Sequence, residues 1–95
     1  MIYGYARCST NETKQDIDRQ VRELKAAGAK NIFLEYEHGD AVVKKQLSSL
    51  LDSAKAGDTI ITLEVSRLAR STKQLCEIIE VIRAKQLRLE IVGSL

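Results

Sequence analysis

Three arginines and one serine are the residues with which this chain could act on a phosphate. Arg7 and Ser9 follow the apolar opening of the chain, and Arg67 and Arg70 follow a second apolar run much later. A guanidinium offers a planar fork that matches phosphate oxygens, and it stays charged at every biological pH. A hydroxyl among such groups could attack a phosphorus atom while the arginines balance the charge that develops. Arg67 and Arg70 are three apart, so a helix through that segment would put them on one face. From Val65 to Lys73 there are three cations and no acid. Spacing alone leaves a second reading open, in which the arginines are solvated and the serine is a cap.

Other chemistries are poorly supplied. No glycine-rich loop runs into Lys-Ser or Lys-Thr, as a P-loop nucleotide site requires. The same lack counts against a flavodoxin-like small-molecule binder. A Ser-His-Asp triad would have to use His38, the only histidine. Asp16 and Asp18 are two apart, so on a helix they face different directions and complement its N-terminus. A phosphoacceptor domain would need acids after the first strand and an Asp after the third, where this chain has Arg7, Ser9 and Ser66. Cys8 and Cys76 are isolated and read as reduced thiols, although Cys8 adjoins the candidate nucleophile and could be reactive.

The elements that must position these residues can be read from periodicity. Ile2 to Ala6 reads as a strand, and Ile17, Val21, Leu24 and Gly28 mark one face of a helix that stops at Gly28. Asn31 to Leu34 is a second strand, and Glu35 to Val43 reads as a loop around Gly39. Leu47, Leu50, Leu51 and Ala54 mark a second helix, closed by Gly57. Thr59 to Leu63 is a β-branched run without polar alternation, as in a strand buried on both faces. Ser71 with Gln74 is a capping-box pattern, and Leu75, Ile78, Ile79 and Ile82 form the apolar stripe of the helix it opens. Leu87, Leu89 and Ile91 alternate with Arg88 and Glu90 in a fourth strand.

The order β-α-β-α-β-α-β predicts an α/β fold: a mainly parallel sheet of about four strands with helices on both faces, three layers in all. In such sheets functional residues gather beyond the carboxyl ends of the strands, where Arg7, Ser9, Glu37, His38, Lys44, Ser66, Arg67 and Arg70 are expected. The 95 residues are one domain's worth of chain, 44% apolar and 29% charged. No run is long enough to span a membrane, and Met1 to Arg7 is too short and polar for a signal peptide, so a cytoplasmic location is expected. A net charge of +2 permits a nucleic-acid partner without requiring one.

Four segments together resemble the serine recombinases, the resolvase and invertase family. Tyr5-Ala6-Arg7-Cys8-Ser9 is similar to that family's Y-A-R-x-S opening, and Gln15 to Gln20 to its Q-x-x-x-x-Q segment. Gly39 and Lys44 to Leu47 resemble its mid-chain loop, and Ser66-Arg67-Leu68-Ala69-Arg70-Ser71-Thr72 its D-R-L-x-R-x-T motif. The resemblance covers nearly the whole chain, residues 1–95, in one resolvase-like catalytic domain.

The resemblance implies site-specific DNA recombination by transesterification. Ser9 would be the nucleophile, forming a 5′-phosphoseryl link to DNA, with Arg7, Arg67 and Arg70 on the phosphate. Tyr5, Gln15, Gln20, Lys44 and Ser66 would position the phosphate or the DNA. No metal, cofactor or ATP is implied. The implied partners are double-stranded DNA and, in a full-length enzyme, further copies forming dimers and tetramers. The chain departs from the family pattern at Lys44, where an arginine is usual, and at Ser66, where an aspartate is common. Its segment between Ser9 and Gln15 is slightly longer than usual. It also ends before the family's long dimerisation helix and DNA-binding region, so these residues alone are expected not to complete recombination. The alternative is a non-catalytic interaction or regulatory module of the same fold.

Overall fold

A computed structural model describes residues 1–9, 14–37 and 45–93. The elements in chain order are β1 (Ile2–Ser9), α1 (Lys14–Ala26), β2 (Asn31–Glu37), α2 (Lys45–Ser53), β3 (Thr59–Thr62), α3 (Val65–Leu68), α4 (Thr72–Ala84) and β4 (Arg88–Ile91). The four strands form one parallel sheet in the order β2-β1-β3-β4.

Side chains alternate across a strand, so each inner strand feeds two cores. Tyr3, Tyr5 and Ile60 pack on one face with Leu47 and Leu50 of α2, Leu68 of α3 and Ile82 of α4. Ala6, Ile61 and Leu63 pack on the other face with Leu24 of α1. The three-layer α/β fold expected from the sequence is therefore the one observed. Gly28 closes α1 with φ of +106°, a conformation that costs glycine little and other residues more.

Three local expectations are corrected. Both first strands run further than their apolar residues, because β1 and β2 pair without interruption from Tyr3↔Asn31 to Ser9↔Glu37. Arg7 and Ser9 thus lie within β1 rather than beyond it, and Glu37 lies within β2. The stripe of α4 is narrower than read: Leu75, Ile78 and Ile82 meet the core, whereas Ile79 sits on the flank and is exposed. A short helix, α3, separates β3 from α4 where no element was expected. His38, Gly39 and Lys44 lie outside the described residues.

Candidate functional site

The site is built where the sheet divides. β3 pairs with β1 only as far as Gly4, while β2 follows β1 to Ser9. The chain leaves β1 toward β2 on one side and returns to β3 on the other, so this is the sheet's topological switch point, where a crevice opens. Beyond Gly4 the β3 side of β1 has lost its ladder, and its main-chain groups must find other partners.

Arg7 and Arg67 supply them for one another. Arg7 Nε donates to the carbonyl of Arg67 at 3.1 Å, and Arg67 Nη1 donates to the carbonyl of Arg7 at 3.1 Å. Arg7 Nη2 also donates to the carbonyl of Ser66. The result is a reciprocal clasp between β1 and α3, with Arg7 buried and Arg67 half-buried. A neutral carbonyl orients a guanidinium without cancelling its charge, so the clasp holds two positive groups together in a partly desolvated crevice. Such a place favours an anion. Ser9 is the last residue of β1, two residues beyond Arg7 and paired with Glu37.

Arg70 arrives differently from the expectation. α3 ends at Leu68, and Ala69 is extended at φ −148° and ψ 149°. Arg67 and Arg70 therefore do not share a helix face. The cause lies just downstream: Ser71 caps α4 and needs extended backbone, so the chain must leave the helical conformation before it. Arg70 is exposed on this link, and its N–H donates to Gln74 Oε1 at 3.1 Å. Ser66 is also exposed; its Oγ donates to Glu64 Oε2 at 3.3 Å, so a carboxylate stands beside Ser66 after all, supplied from two residues upstream.

Two residues expected to position the phosphate or the DNA are enclosed by the protein. Tyr5 is wholly buried beneath the site, and its hydroxyl donates to Glu35 Oε1 at 3.4 Å. The side chain of Gln20 is equally enclosed, because it occupies the α1 face that packs on the sheet. Its Nε2 donates to the Arg7 carbonyl at 3.3 Å and lies 3.8 Å from Cys8 Sγ. Gln20 Oε1 has no partner among the described residues. Gln15 is exposed on the first turn of α1, so the two glutamines do not work as neighbours. Cys8 is buried, which takes its thiol out of reach of solvent reagents. Lys44 lies outside the described residues.

Glu35 was missed by the sequence reading. It is buried, and one carboxylate oxygen accepts from the main-chain N–H groups of Gln46 and Leu47 at 3.0 and 3.1 Å as well as from Tyr5. It thereby caps α2 from a neighbouring strand and complements the positive end of the helix. A signal was present: Val42-Val43-Lys44, just before α2, includes no side chain that caps a helix well, so the cap had to come from elsewhere.

Comparison with known proteins matches residues 2–94 to the family described as Resolvase, N terminal domain. A resolvase of Clostridium perfringens is 40% identical over 87 residues, covering 90% of this chain and 45% of the relative. The transposon Tn3 resolvase of Escherichia coli is 32% identical over 95 residues, covering 98% of this chain and 50% of the relative. The chain thus spans about half the length of these curated relatives. Among solved structures, a serine recombinase from Sulfolobus solfataricus superposes with a TM-score of 0.79 at 19% identity, covering 99% of this chain and 69% of that one. Fold and sequence agree, and the chain belongs to the resolvase N-terminal domain family.

Proposed function

We propose that this chain is the catalytic part of a site-specific DNA recombinase that uses Ser9 as its nucleophile. The observation that carries the reading is the Arg7–Arg67 clasp at the sheet's switch point, beside the residue that ends β1. Resolvases and a DNA-invertase among its relatives support the same reading.

In the proposed reaction Ser9 Oγ attacks a phosphodiester phosphorus. The Oγ–P bond forms as the bond to the 3′ oxygen breaks, and the proton lost by the serine is balanced by one gained at the 3′ hydroxyl. Rejoining is the reverse step with a new 3′ hydroxyl, so bond energy is conserved and no ATP is consumed. Negative charge spreads over the phosphoryl oxygens in the transition state. Arg7 and Arg67 are held in place before DNA arrives, which is the arrangement that makes such donors effective. Arg70, exposed at the lip, reaches the phosphate from the solvent side. Gln20 positions Arg7 through its carbonyl, Tyr5 and Glu35 brace the floor, and Gln15, Lys44 and Ser66 contact the DNA backbone. The partners on this reading are double-stranded DNA and further copies of the whole enzyme, acting in the cytoplasm.

The test is covalent capture. The full-length protein is incubated with DNA from its own source in the presence of EDTA, denatured in detergent, and examined for protein held on DNA 5′ ends. An adduct that persists in EDTA and disappears in Ser9→Ala establishes the chemistry and its nucleophile. DNA binding with no adduct in the wild type would instead mark a non-catalytic relative, with Lys44 and Ser66 the first positions to restore.

A further inference from the structure

The proposed chemistry leaves one substantial surface unused, on the side of the sheet that α1 covers. α1 lies over β1, and along its flank an open groove of about 650 Å³ runs beside β2. Ile17 and Val21 of α1 and Leu34 and Tyr36 of β2 supply its apolar lining. Tyr36 is 54% exposed, so the apolar lining reaches the surface. The rim is cationic: Lys14, Arg22 and Lys25 surround it, against the single carboxylate of Asp18.

A second, independent feature borders the same groove. β2 is an edge strand, and among the described residues nothing pairs with its outer side. It is seven residues long, whereas β4 at the opposite edge has only four. Proteins normally blunt a long edge with lysine, proline or a bulge. Asn31–Glu37 contains neither lysine nor proline, its pairing with β1 is unbroken, and its buried Glu35 is turned to the opposite face, where it caps α2. The main-chain groups on that edge can bind a further strand, whose alternate side chains would fall over Leu34 and Tyr36 and beneath the cations of α1.

We propose that the free edge of β2 and the adjoining α1 groove form a docking surface for an extended acidic segment of a partner protein, added to the sheet as a fifth strand. Charge selects the partner: along the groove lining three cations stand against the carboxylate of Asp18, which favours glutamate or aspartate on the side chains that lean toward α1. The apolar floor favours valine, leucine or an aromatic between them. Nucleic acid is the weaker fit, because a duplex has no apolar side chains to cover Tyr36 and Leu34. The surface lies on the opposite face of the sheet from α3, so a partner could occupy it without entering the crevice.

The probes are two blocked synthetic peptides, one alternating glutamate with valine and one alternating lysine with valine. Each is titrated into the 15N-labelled protein, with amide shifts and hydrogen exchange as readouts. The expected result is that the acidic peptide alone perturbs Leu34, Tyr36 and α1, and slows exchange of the outward amides of β2. Arg22→Glu with Lys25→Glu should weaken that binding about tenfold, the scale of losing two exposed ion pairs. Both side chains are solvent-exposed, so folding is retained and is checked by the unchanged spectrum of β3 and α4. Equal binding of both peptides, shifts without amide protection, or no response at β2 each overturns the proposal. So does a short DNA duplex that perturbs the same residues and displaces the acidic peptide.

Discussion

A guanidinium that donates to a main-chain carbonyl is fixed in direction yet keeps its charge, and Arg7 and Arg67 do this to each other across two elements. The pair is more than two nearby charges, because each side chain holds the backbone that carries the other. Arg7→Lys tests this: lysine preserves the charge but cannot make the two directed bonds from Nε and Nη2. Covalent adduct formation is expected to fall about a hundredfold, the usual scale for removing one preorganised donor, with a loss of about 1–3 kcal/mol in stability from carbonyls left without their donor. Unchanged adduct formation in a gel-shift and capture assay would show that charge alone suffices. The types of the site residues were legible in the sequence, because arginine, serine and their order are chemical facts. Their manner of burial was not. Gln20 and Tyr5 carry polar atoms, and only the packing of α1 and α2 on the sheet decides whether those atoms meet DNA or the protein interior.

Elements here are delimited by their ends more than by their middles. Ser71 Oγ accepts from the Gln74 N–H at 3.2 Å, the bond expected of the capping pattern. In return, Gln74 Oε1 accepts from the N–H of Arg70 rather than from that of Ser71. The cap therefore also fixes the link that presents Arg70. Ser71→Ala is expected to cost about 1 kcal/mol, read as a lowered midpoint in urea unfolding. It should also lower DNA affinity, which a purely local helix cap would not do. Glu35→Gln is the companion experiment on α2: a neutral amide makes weaker bonds to Gln46 and Leu47, and a loss of about 1–2 kcal/mol is expected in the same measurement. Periodicity located α1, α2, α4 and all four strands because apolar spacing reports which face is buried. It placed the strand ends short, since Arg7 to Ser9 and Glu35 to Glu37 extend by pairing with each other and not by being apolar. It gave no sign of α3, because four residues are too few to show a period, and the break at Ala69 that parts Arg67 from Arg70 is imposed by the next helix's cap.

Considered whole, the molecule is closed at its far end by a clasp of another kind. The Met1 amino group donates to Asp58 Oδ1 at 3.1 Å, and the Lys55 N–H donates to Asp58 Oδ2 at 2.8 Å. The Lys55 hydrogen bond, followed by the bond from the amino terminus, holds the Asp58 carboxyl below its ordinary range. A carboxyl whose folded-state pKa is depressed stabilises the fold above its unfolded pKa, and that contribution is lost as pH falls through the folded value. Wild-type stability should thus decline on acidification below the ordinary carboxylate range, and Asp58→Asn should flatten that part of a Tm-against-pH curve. An identical acid limb in both proteins would remove Asp58 from the account. The arginine clasp has its own consequence at this scale. Its two halves lie 60 residues apart in the chain, so neither guanidinium is aimed until β3 has docked on β1 and α3 has formed. A partly folded or nascent chain carries every reactive side chain and still lacks an assembled site. If the proposed reaction is the chain's own, strand cleavage is conditional on a finished fold, and a denaturant titration should show adduct formation vanishing no later than the first loss of tertiary structure. On the proposed function, the clasp acts as an interlock between folding and strand cleavage.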